Sequence, residues 1–141
     1  MNILIIGGAG FIGTNAAAQY AENGNTVYIF DNLSRHGSDL NLNNLQTKFG
    51  ENIKFIKGDI INNDDLPKLI NYMNECELIL HLAAQVAVTT SVKDPRNDFN
   101  INALGTFNVL ESLRESTKIT NLNPTFIYAS TNKVYGAMED L

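Results

Sequence analysis

The sequence predicts an α/β fold, a doubly wound parallel sheet of five strands in the order 3-2-1-4-5. Three observations predict it. Short apolar runs alternate with amphipathic helical segments along the whole chain. The runs are almost continuously apolar, as strands covered on both faces must be. The first run, Ile3-Leu4-Ile5-Ile6, passes directly into Gly7-Gly8-Ala9-Gly10-Phe11-Ile12-Gly13 and then into a helix. Right-handed crossovers leave few ways of joining such units, and the stated order is the expected one.

The elements follow in turn. Residues 2–6 form the first strand and about 11–23 the first helix, which Gly24 stops. Thr26-Val27-Tyr28-Ile29-Phe30 is the second strand. Residues 38–49 form a helix with Leu42 and Leu45 on one face, Asn41 to Asn44 near its polar start and Gly50 as its stop. Residues 53–57 are the third strand. Asn63, Asp64 and Asp65 open the next helix, where acidic residues suit the positive helix end, and Pro67 is tolerable in its first turn. Leu78-Ile79-Leu80-His81 is the fourth strand. Asp94-Pro95 places a cap before a proline at the first helical position, opening a helix that runs to about Glu115. Phe99, Ala103, Thr106, Leu110 and Leu113 make one stripe on it. Leu104 and Phe107 lie off the stripe, so the helix is apolar over a wide arc and calls for cover besides its own sheet. Thr125 to Ala129 is the fifth strand.

A length of 141 residues bounds one domain, 1–141, with enough chain for a core. The net charge of −5 and the scattered Lys and Arg argue against a nucleic-acid partner. The single cysteine, Cys76, permits no internal disulfide, fits a reducing cytoplasm, and reads as an inert helix-end residue. The chain enters a strand without a basic leader, and no apolar run approaches the roughly 18 residues that span a bilayer. A cytoplasmic protein with no membrane partner is expected. Two histidines and one cysteine suggest no metal site and no Cys/His nucleophile pair. His81, ending a buried strand, reads as a core histidine, and His36 as a loop residue beside Gly37.

The glycine run carries the chemistry. Gly7 permits the tight turn out of the strand, Gly10 lets the backbone approach a pyrophosphate, and Gly13 lets the helix pack closely. Free N–H groups at the helix start then face the anion. Asp31 ends the second strand, where a carboxylate accepts both ribose hydroxyls of an adenosine and repels a 2′-phosphate. The expected cofactor is therefore NAD rather than NADP, and Arg35 is the one residue that argues for NADP. The blander reading, a simple turn with Asp31 capping a loop, does not account for strand, glycines, helix, strand and acid in that order.

Several segments together resemble the extended short-chain dehydrogenase/reductase family of nucleotide-sugar epimerases and dehydratases. They are GGAGFIG (7–13), DNLSRHG (31–37), GDI (58–60), HLAAQ (81–85), INALGT (101–106) and STNKVYG (130–136). Residues 83–95 with 130–136 resemble its CDP-tyvelose (CDP-paratose) 2-epimerase branch. The resemblance implies a Rossmann-type NAD(P)-binding domain and a nucleotide-sugar substrate, with a CDP-sugar favoured. It implies that the backbone of Phe11 and Ile12 holds the pyrophosphate, and that Asp31, Asn32, Ser34 and Arg35 hold the adenosine ribose. Asp59 and Ile60 would contact adenine, Leu82, Ala83 and Ala84 would line the path of ribose and phosphates, and Asn102 would support the site. Thr131 matches the catalytic Ser/Thr, Thr89, Thr90 and Ser91 lie on the substrate side, and Lys133 would face a substrate phosphate or hydroxyl. Tyr135 resembles a structural tyrosine. Local readings remain beside these: Asp59 as a helix cap, Asn102 as a structural polar residue, Thr131 as a loop threonine.

The family's chemistry uses a Tyr-x-x-x-Lys pair, in which the lysine lowers the tyrosine pKa. Four residues after Tyr20, Tyr28, Tyr72, Tyr128 and Tyr135 stand Gly24, Asn32, Cys76, Asn132 and Glu139, none of them lysine. The resemblance implies that this chain covers less than half of a typical member, stopping after strand five without the substrate lobe. Two expectations follow: the NAD-binding part of a nucleotide-sugar epimerase, inactive alone, or a non-catalytic dinucleotide-binding module. The N-terminal part of a 4,6-dehydratase is a further alternative. An open fifth strand and the wide apolar arc predict a homo-oligomer.

Overall fold

The computed structural model describes residues 1–120 and 122–131. Its elements are β1 (Asn2–Ile6), α1 (Phe11–Glu22), β2 (Thr26–Asp31), α2 (Ser38–Phe49), β3 (Ile53–Lys57), α3 (Leu66–Met73), β4 (Leu78–His81), α4 (Val88–Lys93), α5 (Pro95–Phe99), α6 (Gly105–Ile119) and β5 (Thr125–Tyr128). A single 3₁₀ turn joins α2 to β3, and a wide π turn, Asn100–Leu104, joins α5 to α6. All strand pairs are parallel and the sheet order is β3-β2-β1-β4-β5, as the sequence predicts.

Alternation along β1 explains the double winding. Ile3 and Ile5 face one layer with Val27, Ile29, Ala17 and Ala21 of α1, and Leu42 and Leu45 of α2. Leu4 and Ile6 face the other with Phe30, Leu69 and Met73 of α3, and Val109 of α6. Successive side chains of a strand point to opposite faces, so both faces of a central strand must be apolar. Register aligns the strand ends: Ile6 stands opposite Phe30 and His81, and Phe30 opposite Ile56. The loops that follow β1, β2, β3 and β4 therefore open on one edge, where the site is built.

Three elements differ from expectation. The helix after β3 begins at Leu66, and the Asp65 carboxylate before it makes no capping hydrogen bond. It accepts from Lys68 and from the Asp59 N–H, and these bonds hold it below the usual carboxylate range. Residues Val88–Lys93 form α4, a short helix that no periodicity marked. The long helix starts at Pro95 as expected, with the Asp94 carboxylate accepting the Asn97 N–H at 3.0 Å, but it runs past Glu115 to Ile119 and is broken by the π turn. That turn inserts a residue and rotates the face behind it. Of the stripe, Phe99, Ala103 and Leu110 are exposed, while Thr106 reaches His81 and Leu113 packs partly against the core. Gly105, Val109, Ser112 and Ser116 are buried. Small residues let α6 lie close to α3, where the Ser116 hydroxyl donates to Asn74 Oδ1 at 2.7 Å. Phe99, Leu104, Phe107 and Leu110 remain exposed. Among the described residues no helix is long and apolar enough to cross a membrane.

Cys76 is buried, and desolvation, then its flanking Glu75 and Glu77, pushes its thiol up to about 12, which leaves it unreactive. His81 is fully buried, with Nε2 3.1 Å from the Thr106 hydroxyl and its ring against Tyr128 and Phe126. Desolvation lowers its pKa to about 4. The unfolded chain therefore takes up this proton near pH 6.5 and the folded chain only near 4, so stability falls as pH drops through that window. The loss is about 3 kcal/mol. Urea unfolding of His81→Gln across pH 7 to 4 is expected to show a flatter profile than the parent chain.

Candidate functional site

The site starts from the backbone of one glycine. Gly7 sits at φ +82°, and a Cβ there would lie 2.6 Å from Ala83 N, so the turn after β1 lies against the loop after β4. Its N–H donates to Phe30 O at 2.8 Å, which continues the ladder to β2. A Cβ on Gly13 would come within 2.5 Å of Gly7 O and 2.6 Å of Gly8 Cα. Close helix packing is thus the role of Gly13, with the turn itself as its neighbour. A Cβ on Gly10 would meet only Gly7 O, at 3.3 Å. No side chain caps α1, so its first N–H groups are not claimed by a capping residue.

Asp31 organises the turn. Its Oδ2 accepts the Ala9 N–H at 3.0 Å and its Oδ1 the Leu33 N–H at 2.8 Å. The Asn41 amide of α2 donates to Ala9 O at 3.0 Å, so the Ala9 residue is held through its N–H and its carbonyl. A carboxylate has about four acceptor positions, which leaves room for further donors on Asp31. Asn32 donates to Asp59 Oδ2 at 2.9 Å, and Asp59 Oδ1 accepts the Ile61 N–H at 3.1 Å. Asp59 thus makes a turn contact two residues on and lines the cleft, and it does not cap the next helix, where Asp65 precedes Leu66. Behind Ile60 stands α6: the Asn108 amide donates to Ile60 O at 2.8 Å, and a Cβ on Gly105 would lie 2.6 Å from Ile60 Cδ1.

These parts enclose a cleft of about 230 Å³ at the carboxyl edge of the sheet. It brings together Gly7, Gly10, Asp31, Asn32, Ser34, Arg35, Asp59, Ile60, Leu82, Ala83 and Ala84. Phe11, Ile12 and Gly13 open α1 without lining the cleft, and the Phe11 side chain is 82% exposed. Asn102 stands behind the wall, its amide paired with both backbone groups of Gln85 at 2.9 and 3.0 Å. Thr89 and Thr90 are exposed on α4. The Ser91 hydroxyl is engaged within the protein, with Asp98 and Ala87 O. Thr131 is exposed, three residues beyond the end of β5. Lys133 and Tyr135, with most of the 130–136 motif, lie outside the described residues.

Sequence reasoning missed four contributors. Gln85 and Ile101 line the cleft and sit inside two quoted motifs, so the signal was present. Gly58 lines it too, and a Cβ there would overlap the Phe30 ring. Ser38 is buried at the start of α2 and donates to Arg35 O at 2.6 Å, which shapes the loop carrying Ser34 and Arg35.

The residues fit a dinucleotide. A backbone-lined turn meets an uncapped helix start, an acid stands at the second strand's end, and an aliphatic and an acid stand at the third. The model of the GDP-mannose 4,6-dehydratase family matches residues 4–141. CDP-paratose 2-epimerase from Salmonella typhi is 46% identical over 140 residues, 99% of this chain and 39% of that enzyme. The UDP-glucose 4-epimerase of Stenotrophomonas maltophila, solved with NAD and formylated UDP-arabinopyranose, superposes with a TM-score of 0.81 at 28% identity, over 96% of this chain and 38% of that one. The UDP-glucose 4-epimerase of Brucella ovis, solved with NAD, gives 0.70 at 30% identity, over 96% and 37%. The chain thus spans less than two fifths of the length of these relatives.

Proposed function

The chain belongs to the GDP-mannose 4,6-dehydratase family, and from that premise we propose that it is the NAD-binding portion of a nucleotide-sugar epimerase. The observation that carries the reading is Asp31. Its carboxylate is fixed by two backbone N–H groups at the mouth of the glycine turn, in a cleft shared with Asp59 and Ile60. Bound NAD supplies a reversible hydride acceptor. The chain's own residues bind and orient it. The N–H groups of Phe11 and Ile12 hold the pyrophosphate. Asp31, Asn32, Ser34 and Arg35 hold the adenosine ribose, and Asp59 and Ile60 hold adenine. Leu82, Ala83 and Ala84 admit the remaining ribose and phosphates, and Asn102 fixes the wall behind them.

Thr131 is proposed to hydrogen-bond the sugar oxygen whose proton moves, with Thr89, Thr90 and Ser91 on the substrate side. A CDP-sugar is the favoured substrate class, supported by the 46% identity to CDP-paratose 2-epimerase. Association of copies through the exposed Phe99, Phe107 and Leu110 face accompanies this reading. A 4,6-dehydratase origin is the second reading, favoured by the description of the matching family.

Calorimetry on residues 1–141 tests the proposal. NAD is expected to bind one to one, and NADP at least about tenfold more weakly, because Asp31 repels a 2′-phosphate. The same chain is expected to show no CDP-sugar epimerisation, since no tyrosine has a lysine four residues on. Equal affinity for the two cofactors, or turnover by this chain alone, contradicts the reading.

A further inference from the structure

One carboxylate oxygen joins three helical segments. Asp98 Oδ1, on α5, accepts the Ser91 hydroxyl of α4 at 2.6 Å and the Asn102 Nδ2 of the π turn at 3.1 Å. Asn102 in turn grips Gln85 twice. Its Oδ1 accepts the Gln85 N–H at 2.9 Å, and its Nδ2 donates to Gln85 O at 3.0 Å. Gln85 lines the cleft, and Thr89 and Thr90 follow it on α4.

The Asn102 amide has two hydrogens and both are used. An ionised carboxylate only accepts. If the amide turned over, its oxygen would face the Asp98 carboxylate and the Gln85 carbonyl, and its NH₂ would face the Gln85 N–H. All three bonds would become repulsive contacts. The Gln85 backbone already favours this orientation, and Asp98 adds the third contact that reinforces it and holds the second amide hydrogen. The same oxygen holds Ser91, whose hydroxyl also lies 3.1 Å from Ala87 O.

We propose that Asp98 is a positioning residue: it locks Asn102 onto Gln85 and ties α4 to the same point, so that the cleft wall and the segment bearing Thr89 and Thr90 move as one unit. The consequence for cofactor rests on reading the cleft as a dinucleotide site, whereas the locking of the wall does not.

Amide hydrogen exchange read residue by residue by NMR tests the lock without ligand. In Asp98→Ala the Gln85 N–H is expected to exchange on the order of tenfold faster, with the β1 amides unchanged. Asp98→Asn keeps the volume but can also donate, so it is expected to fall between the two. Ser91→Ala is expected to loosen residues 88–93 and leave Gln85 protected. Calorimetry tests the consequence. NAD affinity is expected to fall several-fold in Asp98→Ala, and the double variant Asp98→Ala/Asn102→Ala is expected to bind NAD no more weakly than Asn102→Ala alone. A merely structural Asp98 lowers the thermal midpoint and gives additive losses. Unchanged Gln85 protection in Asp98→Ala, or full additivity with Asn102→Ala, overturns the proposal. A parent chain that binds no NAD defeats the dinucleotide reading alone, and the Gln85 exchange still decides the role of Asp98.

Discussion

Gly7→Ala is expected to cost about 3 kcal/mol of stability and to abolish NAD binding. Two effects add. An L-residue at φ +82° pays about 1–2 kcal/mol for the left-handed conformation. The new Cβ would stand 2.6 Å from Ala83 N and 2.7 Å from Ala83 Cα. Both are backbone atoms, so no flexible side chain can yield, and overpacking of this kind costs a further 1–3 kcal/mol or so. Gly24→Ala is the control. Gly24 has φ +78° and nothing within 4 Å of an added Cβ, so only the same conformational cost of about 1–2 kcal/mol applies. The difference between the two in urea unfolding measures the contact of the glycine turn with the loop after β4. Equal losses for the two variants would mean that this contact is not made.

Asp31→Ala is expected to weaken NAD binding about 10- to 100-fold in calorimetry, from lost hydrogen bonds worth about 1–3 kcal/mol. The effect has two sources. The ribose hydroxyls lose their acceptor, and the Ala9 and Leu33 N–H groups lose theirs. Asn41 still holds Ala9 O, so the turn keeps one anchor and the chain is expected to fold. Asp31→Asn separates charge from geometry. It is expected to narrow the preference for NAD over NADP, because the repulsion of a 2′-phosphate goes with the charge. Unchanged NAD affinity in Asp31→Ala would sink the ribose assignment.

Much of this was legible in the sequence because the relevant physics is local. Gly7, Gly13 and Asp31 sit where a β-turn-helix-β unit requires them, and strand order followed from alternation of elements and crossover handedness. The bounds of β1, α2 and β3 matched for the same reason: glycine stops and apolar runs mark them. What failed was non-local. The π turn at Asn100–Leu104 shifts the face of α6 by a residue, and no propensity signals it. The buried Gly105, Val109, Ser112 and Ser116 face reads as weakly apolar, because α6 gains its packing from smallness against α3. The second anchor on Ala9, from Asn41, spans 32 positions and required the fold to be seen. Asp65 read only as one of three acidic residues opening a helix, and its carboxylate also serves the Asp59 backbone, since the turn after β3 brings that N–H within 3.0 Å.

Nucleotide binding at the carboxyl edge of the sheet is the claim on which the rest depends, and amide chemical-shift mapping during an NAD titration tests it most directly. Perturbations are expected at Gly7 to Gly13, Asp31 to Arg35, Asp59 and Ile60, and Leu82 to Gln85, with the opposite edge of the sheet silent. Shifts confined to that opposite edge, or none at saturating NAD, would contradict the account.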